Sequence, residues 1–262
     1  MSKLKKISII GSGNIGFHLG KALKNQGATI HQVYSRKLKN ALELASTLEA
    51  NQAINDLSEL DADCDLILVA VKDDAIAKVI TQIPFCPKLI AHTSGSVPMD
   101  VFEQVDFTTY GIFYPLQSFS KNRKVDMKTV PFCLESNHTH ALGMLSNLAH
   151  SISSQVYHIN SKERETIHLA AVFANNFTNF MYQIANDILV DHCLPFEILK
   201  PLILETAKKI QDLPPKEAQT GPAKRNDQHT IEKHLAQLRL HPEYQKLYQD
   251  ITKLIIQSSK NT

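Results

Sequence analysis

The chain has 262 residues, 43% of them hydrophobic and 21% charged, which fits one large globular domain or two smaller ones and excludes a disordered chain. Its 28 basic and 26 acidic residues leave a net charge of +2, too weak a field to suggest nucleic acid or an anionic membrane surface as a partner. No apolar run approaches the ~20 residues of a membrane span, and the apolar stretch behind Lys3, Lys5 and Lys6 is too short for a signal peptide, so a cytoplasmic protein is expected.

In chain order, residues 6–10 are β-branched and apolar and read as a strand, followed by a helix over 14–26 with Ile15, Leu19, Ala22 and Leu23 on one side. Residues 29–34 and 38–49 repeat the pair. The continuous apolar run at 65–71 suits a strand buried on both faces of a parallel sheet. A helix at 74–82, strands at 88–92, 107–113 and 130–134, a helix at 140–150 and a strand at 155–159 complete the alternation. This pattern implies βαβ units and a doubly wound sheet over residues 1–159. Residues 160–262 contain no convincing strand. Helices are expected at 162–192, 196–213, 228–240 and 242–258, punctuated by Pro195, Pro214, Pro215 and Pro242. The four cysteines, Cys64, Cys86, Cys133 and Cys193, show no CxxC pairing and read as reduced thiols.

Glycine is scarce, 9 of 262 residues, yet Gly11, Gly13, Gly16, Gly20 and Gly27 fall within the first tenth of the chain. Gly11-Ser12-Gly13-Asn14-Ile15-Gly16 fits G-x-G-x-x-G between a strand and a helix, the context that makes it a dinucleotide turn. Gly11 permits the tight turn, Gly13 lets backbone approach a pyrophosphate, and Gly16 lets helix pack on strand. The free N–H groups of the helix start then face the phosphates. The second strand ends in Tyr34-Ser35-Arg36-Lys37, without the acid that holds a ribose 2′-OH. A hydroxyl and a guanidinium suit a 2′-phosphate, so the expected cofactor is NADP rather than NAD. Val71, Lys72 and Asp73 follow the central strand and either line the cofactor cleft or simply start a helix, with Asp73 as its cap. His92-Thr93-Ser94-Gly95-Ser96 ends another strand and either faces the same cleft or forms a turn before a helix near Pro98.

On the helix at 162–192, His168, Asn175, Asn179, Tyr182 and Asn186 fall in one narrow sector of an otherwise apolar, and so buried, surface. Buried amides and imidazoles need partners or a wet cavity. The stripe reads as a substrate-cleft wall with His168 as general acid, as a hydrogen-bonded network, or as a face toward a partner subunit. Thr220-Gly221-Pro222 through Arg225, Asp227, His229, Thr230 and His234 gathers hydroxyl, guanidinium and imidazole at a loop and helix start, as an anionic substrate requires or as a charged loop provides. Asp227 or Thr230 is expected to cap that helix. No histidine cluster has metal spacing, and the basic run Lys121, Arg123, Lys124 and Lys128 reads as a solvated loop.

Together the Gly11–Gly16 fingerprint, the Ser35-Arg36 pair and the helical second half resemble the 6-phosphogluconate dehydrogenase-like superfamily, which includes pyrroline-5-carboxylate reductase and 3-hydroxyisobutyrate dehydrogenase. The segments 92–98, 114–119, 168–177 and 220–235 resemble a bacterial family that pairs a Rossmann-like domain with a helical domain of unknown function. The resemblance covers essentially the whole chain. It implies an NADP-dependent oxidoreductase acting on a small molecule and dimeric through the helical domain. On the residues themselves, His168 and Asn175 are the expected catalytic pair, and Ser94, Asn179, Thr220 and Arg225 the expected substrate contacts. The chain departs from the superfamily in three places. The catalytic Lys of the hydroxyacid dehydrogenases is missing from the long helix. Tyr114-Pro115 stands where prephenate-type enzymes have His-Pro. Thr220-Gly221-Pro222 stands where pyrroline-5-carboxylate reductase has Thr-Ser-Pro. A nucleotide-sensing protein without catalysis is the alternative reading.

Overall fold

A computed structural model describes residues 4–260; residues 1–3, Lys3 of the basic start among them, and 261–262 lie outside the described residues. By internal contacts the chain divides into two compact units, Met1–Asn175 and Asn176–Thr262.

Strands of the first unit are β1 (Lys6–Ile10), β2 (Thr29–Tyr34), β3 (Gln52–Ile54), β4 (Leu66–Val69), β5 (Ile90–His92), β6 (Tyr110–Pro115), β7 (Phe132–Ser136) and β8 (Val156–His158). They form one sheet in the order β3-β2-β1-β4-β5-β6-β7-β8. Every pairing is parallel except β6 with β7. Helices α1 (Asn14–Asn25), α2 (Leu38–Leu48), α3 (Asp73–Ile80), α4 (Thr139–Ile152) and α5 (Ser161–Ala171) follow the strands. The chain steps outward from β1 to β3, then crosses to β4 on the other side of β1. That reversal opens a crevice at the carboxyl ends of β1 and β4.

Alternation within the strands builds a core on each face. Ile7, Ile9, Leu66 and Leu68 pack in one cluster with Leu19, Leu44 and Leu145 of α1, α2 and α4. Ile10, Ile67 and Val69 pack in the other with Ile76 and Ile80 of α3 and with Phe102. Burial on both faces is the reason that β4 lacks a polar face. β3 escaped the sequence pattern because three residues are too few to show a period.

The single helix expected over 162–192 is interrupted. After α5 comes a π-helical turn, Val172–Phe177, and only then α6 (Thr178–Asp191). Two sequence expectations fail with it. The α-helical spacing that aligns His168 with Asn175, Asn179, Tyr182 and Asn186 does not run through a segment bonded i to i+5. Nor is the helix buried in the single chain: α6 carries no buried residue, and Leu169 and Phe173 are more than half exposed.

The second unit contains α6, α7 (Lys200–Asp212), α8 (Pro215–Ala218), α9 (Pro222–Arg225), α10 (Gln228–Gln237) and α11 (Pro242–Lys260). Asp227 caps α10 by accepting from the N–H of Thr230, as its position suggests. Tyr244 of α11 donates to Asp187 of α6 at 2.8 Å, and His241 pairs with Asp191 at 2.6 Å. No described helix is long and apolar enough to cross a membrane.

Candidate functional site

β1 runs straight into Gly11, whose N–H donates to the Tyr34 carbonyl at 2.9 Å. Gly11 has φ +119°, and a Cβ there would collide with the Ala70 carbonyl at the end of β4. Only glycine lets these three strand ends meet so closely. A Cβ on Gly16 would strike the Gly11 carbonyl, so α1 also starts in contact with the turn.

Gly13 behaves differently. It is the N-cap of α1, no side chain caps the helix there, and a Cβ on it would meet nothing within 4 Å. The N–H groups of Asn14, Ile15 and Gly16 therefore stand at an open, positively polarised helix end. A dinucleotide's pyrophosphate fits this combination of open space and free donors. Beside it, Ser12 Oγ lies 2.9 Å from Ser35 Oγ, joining the turn to the end of β2. Arg36 follows, exposed. Half-buried Val71 and exposed Lys72 close the opposite side, after β4. Thus Gly11, Ser12, Gly13, Asn14, Ile15, Gly16, Ser35, Arg36, Val71 and Lys72 all lie around the crevice. The N-cap of α3 is Lys72 rather than Asp73. The Asp73 carboxylate instead accepts from Ser96 Oγ.

That contact leads to a second cluster, at the ends of β5 and β6. His92 is fully buried and stacked on Phe102, and its Nδ1 accepts from the N–H of Ser94 at 3.2 Å. Burial, with the Arg164 guanidinium nearby, pushes its pKa down to about 3, so it is a neutral imidazole. Ser94 Oγ accepts from the N–H groups of Ser96 (3.1 Å) and Val97 (3.0 Å), making a tight polar turn before the short 3-10 segment Met99–Gln104. Within that turn, a Cβ on Gly95 would lie 2.7 Å from His168 Nδ1 and 2.8 Å from Tyr114 Oη. The two side chains are themselves 3.3 Å apart. Tyr114 is buried, and desolvation pushes its pKa up to about 12, so its phenol stays protonated.

Arg164 holds His168 in place. It lies one turn earlier on the same face of α5 and is 1% exposed. Nη1 donates to Glu135 of β7 at 2.7 Å, and Nη2 donates to the Val97 carbonyl at 2.6 Å. Ser161 Oγ donates to the same Glu135 oxygen at 2.6 Å and accepts from the N–H of Met99. One buried fork therefore ties α5, β7 and the 94–99 turn together.

His168 meets the turn that holds Ser94 at its Gly95, with Tyr114 as a partner that sequence reasoning did not place in the site. Asn175 lies exposed in the π turn. Asn179, Thr220 and Arg225 belong to the second unit, where Thr220 lines a mostly apolar cavity of about 270 Å³ with Met181, Ile184, Pro222 and Tyr248. Arg225 ends α9, exposed. A charged Glu135 in an apolar strand, and an Arg four residues before His168, are the signals that could have revealed the fork. Among the described residues no cluster of His, Cys, Asp and Glu could hold a metal ion.

Comparison with known proteins accords with this geometry. Residues 6–92 match the family described as "NADP oxidoreductase coenzyme F420-dependent", and residues 130–255 match a "Domain of unknown function (DUF2520)". The crystal structure of a candidate NADP oxidoreductase, BF3122 from Bacteroides fragilis, is 42% identical, covering 97% of this chain and 98% of that one with a TM-score of 0.91. The chain belongs to this oxidoreductase family. A 1-pyrroline-5-carboxylate reductase from Streptococcus pyogenes is 16% identical over 98% of both chains, with a TM-score of 0.64, and shares the fold. A glutamyl-tRNA reductase of Sulfolobus acidocaldarius is 35% identical over 101 residues, 36% of this chain but only 24% of that protein's length.

Proposed function

We propose that the protein is an NADP-dependent oxidoreductase moving hydride between NADP(H) and a small, anionic carbonyl, imine or alcohol. The observation that carries this reading is the open, uncapped start of α1 at Gly13 beside the Ser12–Ser35 pair and Arg36. Backbone N–H groups of residues 14–16 would hold the pyrophosphate. Ser35 and Arg36 would hold a 2′-phosphate, and no acid at the end of β2 opposes it, which favours NADP over NAD. When bound, the nicotinamide supplies or accepts the hydride. The remaining task is the proton on the substrate's oxygen or nitrogen, which we assign to His168, steadied by the protonated phenol of Tyr114. Asn175 would donate a hydrogen bond to the same substrate atom. Ser94, Asn179 and Thr220 would position the substrate, and Arg225 would bind its anionic group.

In this reading residues 1–159 carry the cofactor, while residues 160–262 carry substrate contacts and join two copies into a cytoplasmic homodimer. Exposed Val190, Ile198, Leu202 and Leu204 support the pairing, as large apolar side chains that a partner copy would cover. A solution mass of two chains is expected; a single-chain mass at micromolar concentration would contradict it. Catalysis is tested by following NADPH oxidation against oxo acids, cyclic imines and aldehydes. His168→Ala should lower turnover by about 100-fold or more with NADPH affinity kept, as loss of a general acid does. Unchanged turnover would remove His168 from the proton path.

A further inference from the structure

The basic side chains of the run at 121–128 are exposed, as a solvated loop requires, and the segment before them is tied to α1. Asn14 Nδ2 donates to the Phe119 carbonyl at 2.8 Å, and His18 Nε2 donates to the Ser120 carbonyl at 2.9 Å. The Phe119 ring stacks on His18 with centroids 4.9 Å apart, and the Arg123 N–H closes a turn on Ser120. So anchored, the loop and α1 enclose a pocket of about 330 Å³. Lys21, Lys121, Arg123 and Lys124 line it, and no carboxylate does. None of these four cations is in an ion pair among the described residues. Phe17, Val125 and Met127 give it an apolar floor. Its wall includes His18, which is buried and bonded through Nε2 to the Ser120 carbonyl.

These four exposed cations, with no carboxylate beside them, give the pocket a positive rim that a ligand of opposite charge would neutralise. We infer that this pocket is a second anion site, for a small molecule carrying two or more linked phosphates and an apolar part. The chemistry fits point by point. Lysine and arginine are phosphate binders, the fork of Arg123 suits paired oxygens, and the apolar floor suits a base or acyl group. None of residues 11–16 lines the pocket, which is therefore treated as distinct from the dinucleotide turn one helical turn away. Its concave form and the chain's near-neutral charge favour a small ligand over a nucleic acid.

Calorimetric titration of the full chain with tripolyphosphate tests the inference, and a Gly13→Asp variant separates the two sites. Gly13 has an ordinary backbone and open space around it, so the aspartate is accommodated and sets a negative charge where the pyrophosphate would lie. We expect one tripolyphosphate per chain. Affinity should fall by about tenfold or more in Lys121→Ala/Arg123→Ala/Lys124→Ala and be kept in Gly13→Asp, while NADPH affinity shows the opposite pattern. The inference is overturned if the wild-type chain binds no tripolyphosphate, if the triple variant binds it equally well, or if only Gly13→Asp loses it. It is also overturned if a single-stranded oligonucleotide displaces tripolyphosphate at lower concentration. Failure of NADPH to bind the wild-type chain would count against the oxidoreductase reading and leave the pocket result standing.

Discussion

His92 shows how one enclosed residue sets a pH limit for the fold. Its Nδ1 must stay unprotonated to accept from the Ser94 N–H. Folded, its pKa lies near 3; unfolded, it returns to the ordinary value of 6.5. Below pH 6.5 the unfolded chain therefore takes up a proton that the folded chain refuses. The contribution of His92 is complete above pH 6.5 and is lost as pH falls toward 3, at no more than about 1.4 kcal/mol per pH unit. Urea midpoints measured from pH 6.5 down to about 4.5, above most carboxylate titration, should fall. In His92→Gln that slope should flatten, and an unchanged slope would show that another group sets the acid limit. The polar turn at 92–96 was legible as a motif, because hydroxyls and glycine at a strand end are a local signal. Its contact with Tyr114 was not: positions 95, 114 and 168 meet only through the fold.

Among the elements, α5 depends on a single buried fork. Removing the Arg164 guanidinium leaves the largely buried Glu135 without a cation, held only by the Ser161 hydroxyl, and takes the donor from the Val97 carbonyl. Loss of one member of such a pair costs about 3–5 kcal/mol. Arg164→Met should lower the urea midpoint accordingly. Arg164→Lys, which keeps the charge but not the fork, should recover part of the stability and still lower turnover by loosening His168 from Tyr114. Full activity in Arg164→Lys would separate the fork from the site. Strand β4 was readable because burial on both faces forces a continuous apolar run, and β1 and β2 because they are rich in Ile and Val. The π turn at Val172–Phe177 was not, since nothing in the residue spacing distinguishes an i to i+5 bond from the usual one. The apolar face of α6 read as core, although in the single chain its residues are at most half-buried.

At the scale of the molecule, the chain joins a doubly wound sheet to a helical unit, and each carries part of the proposed chemistry. The first unit builds the crevice from backbone geometry, so a glycine fingerprint sufficed to locate it. The proposed substrate contacts, Thr220 and Arg225 among them, rest on side chains scattered along the chain, and they were legible only as residue types and resemblance. The central claim is that Ser35 and Arg36 read a 2′-phosphate beside the open start of α1. Calorimetric titration of NADPH and NADH against the wild-type chain and Arg36→Ala tests it most directly. A charge-assisted hydrogen bond of about 1.5–3 kcal/mol predicts NADPH binding roughly 10- to 100-fold tighter than NADH in the wild type, with that preference lost in Arg36→Ala through weaker NADPH binding alone. Equal affinities for the two cofactors in the wild-type chain would contradict it.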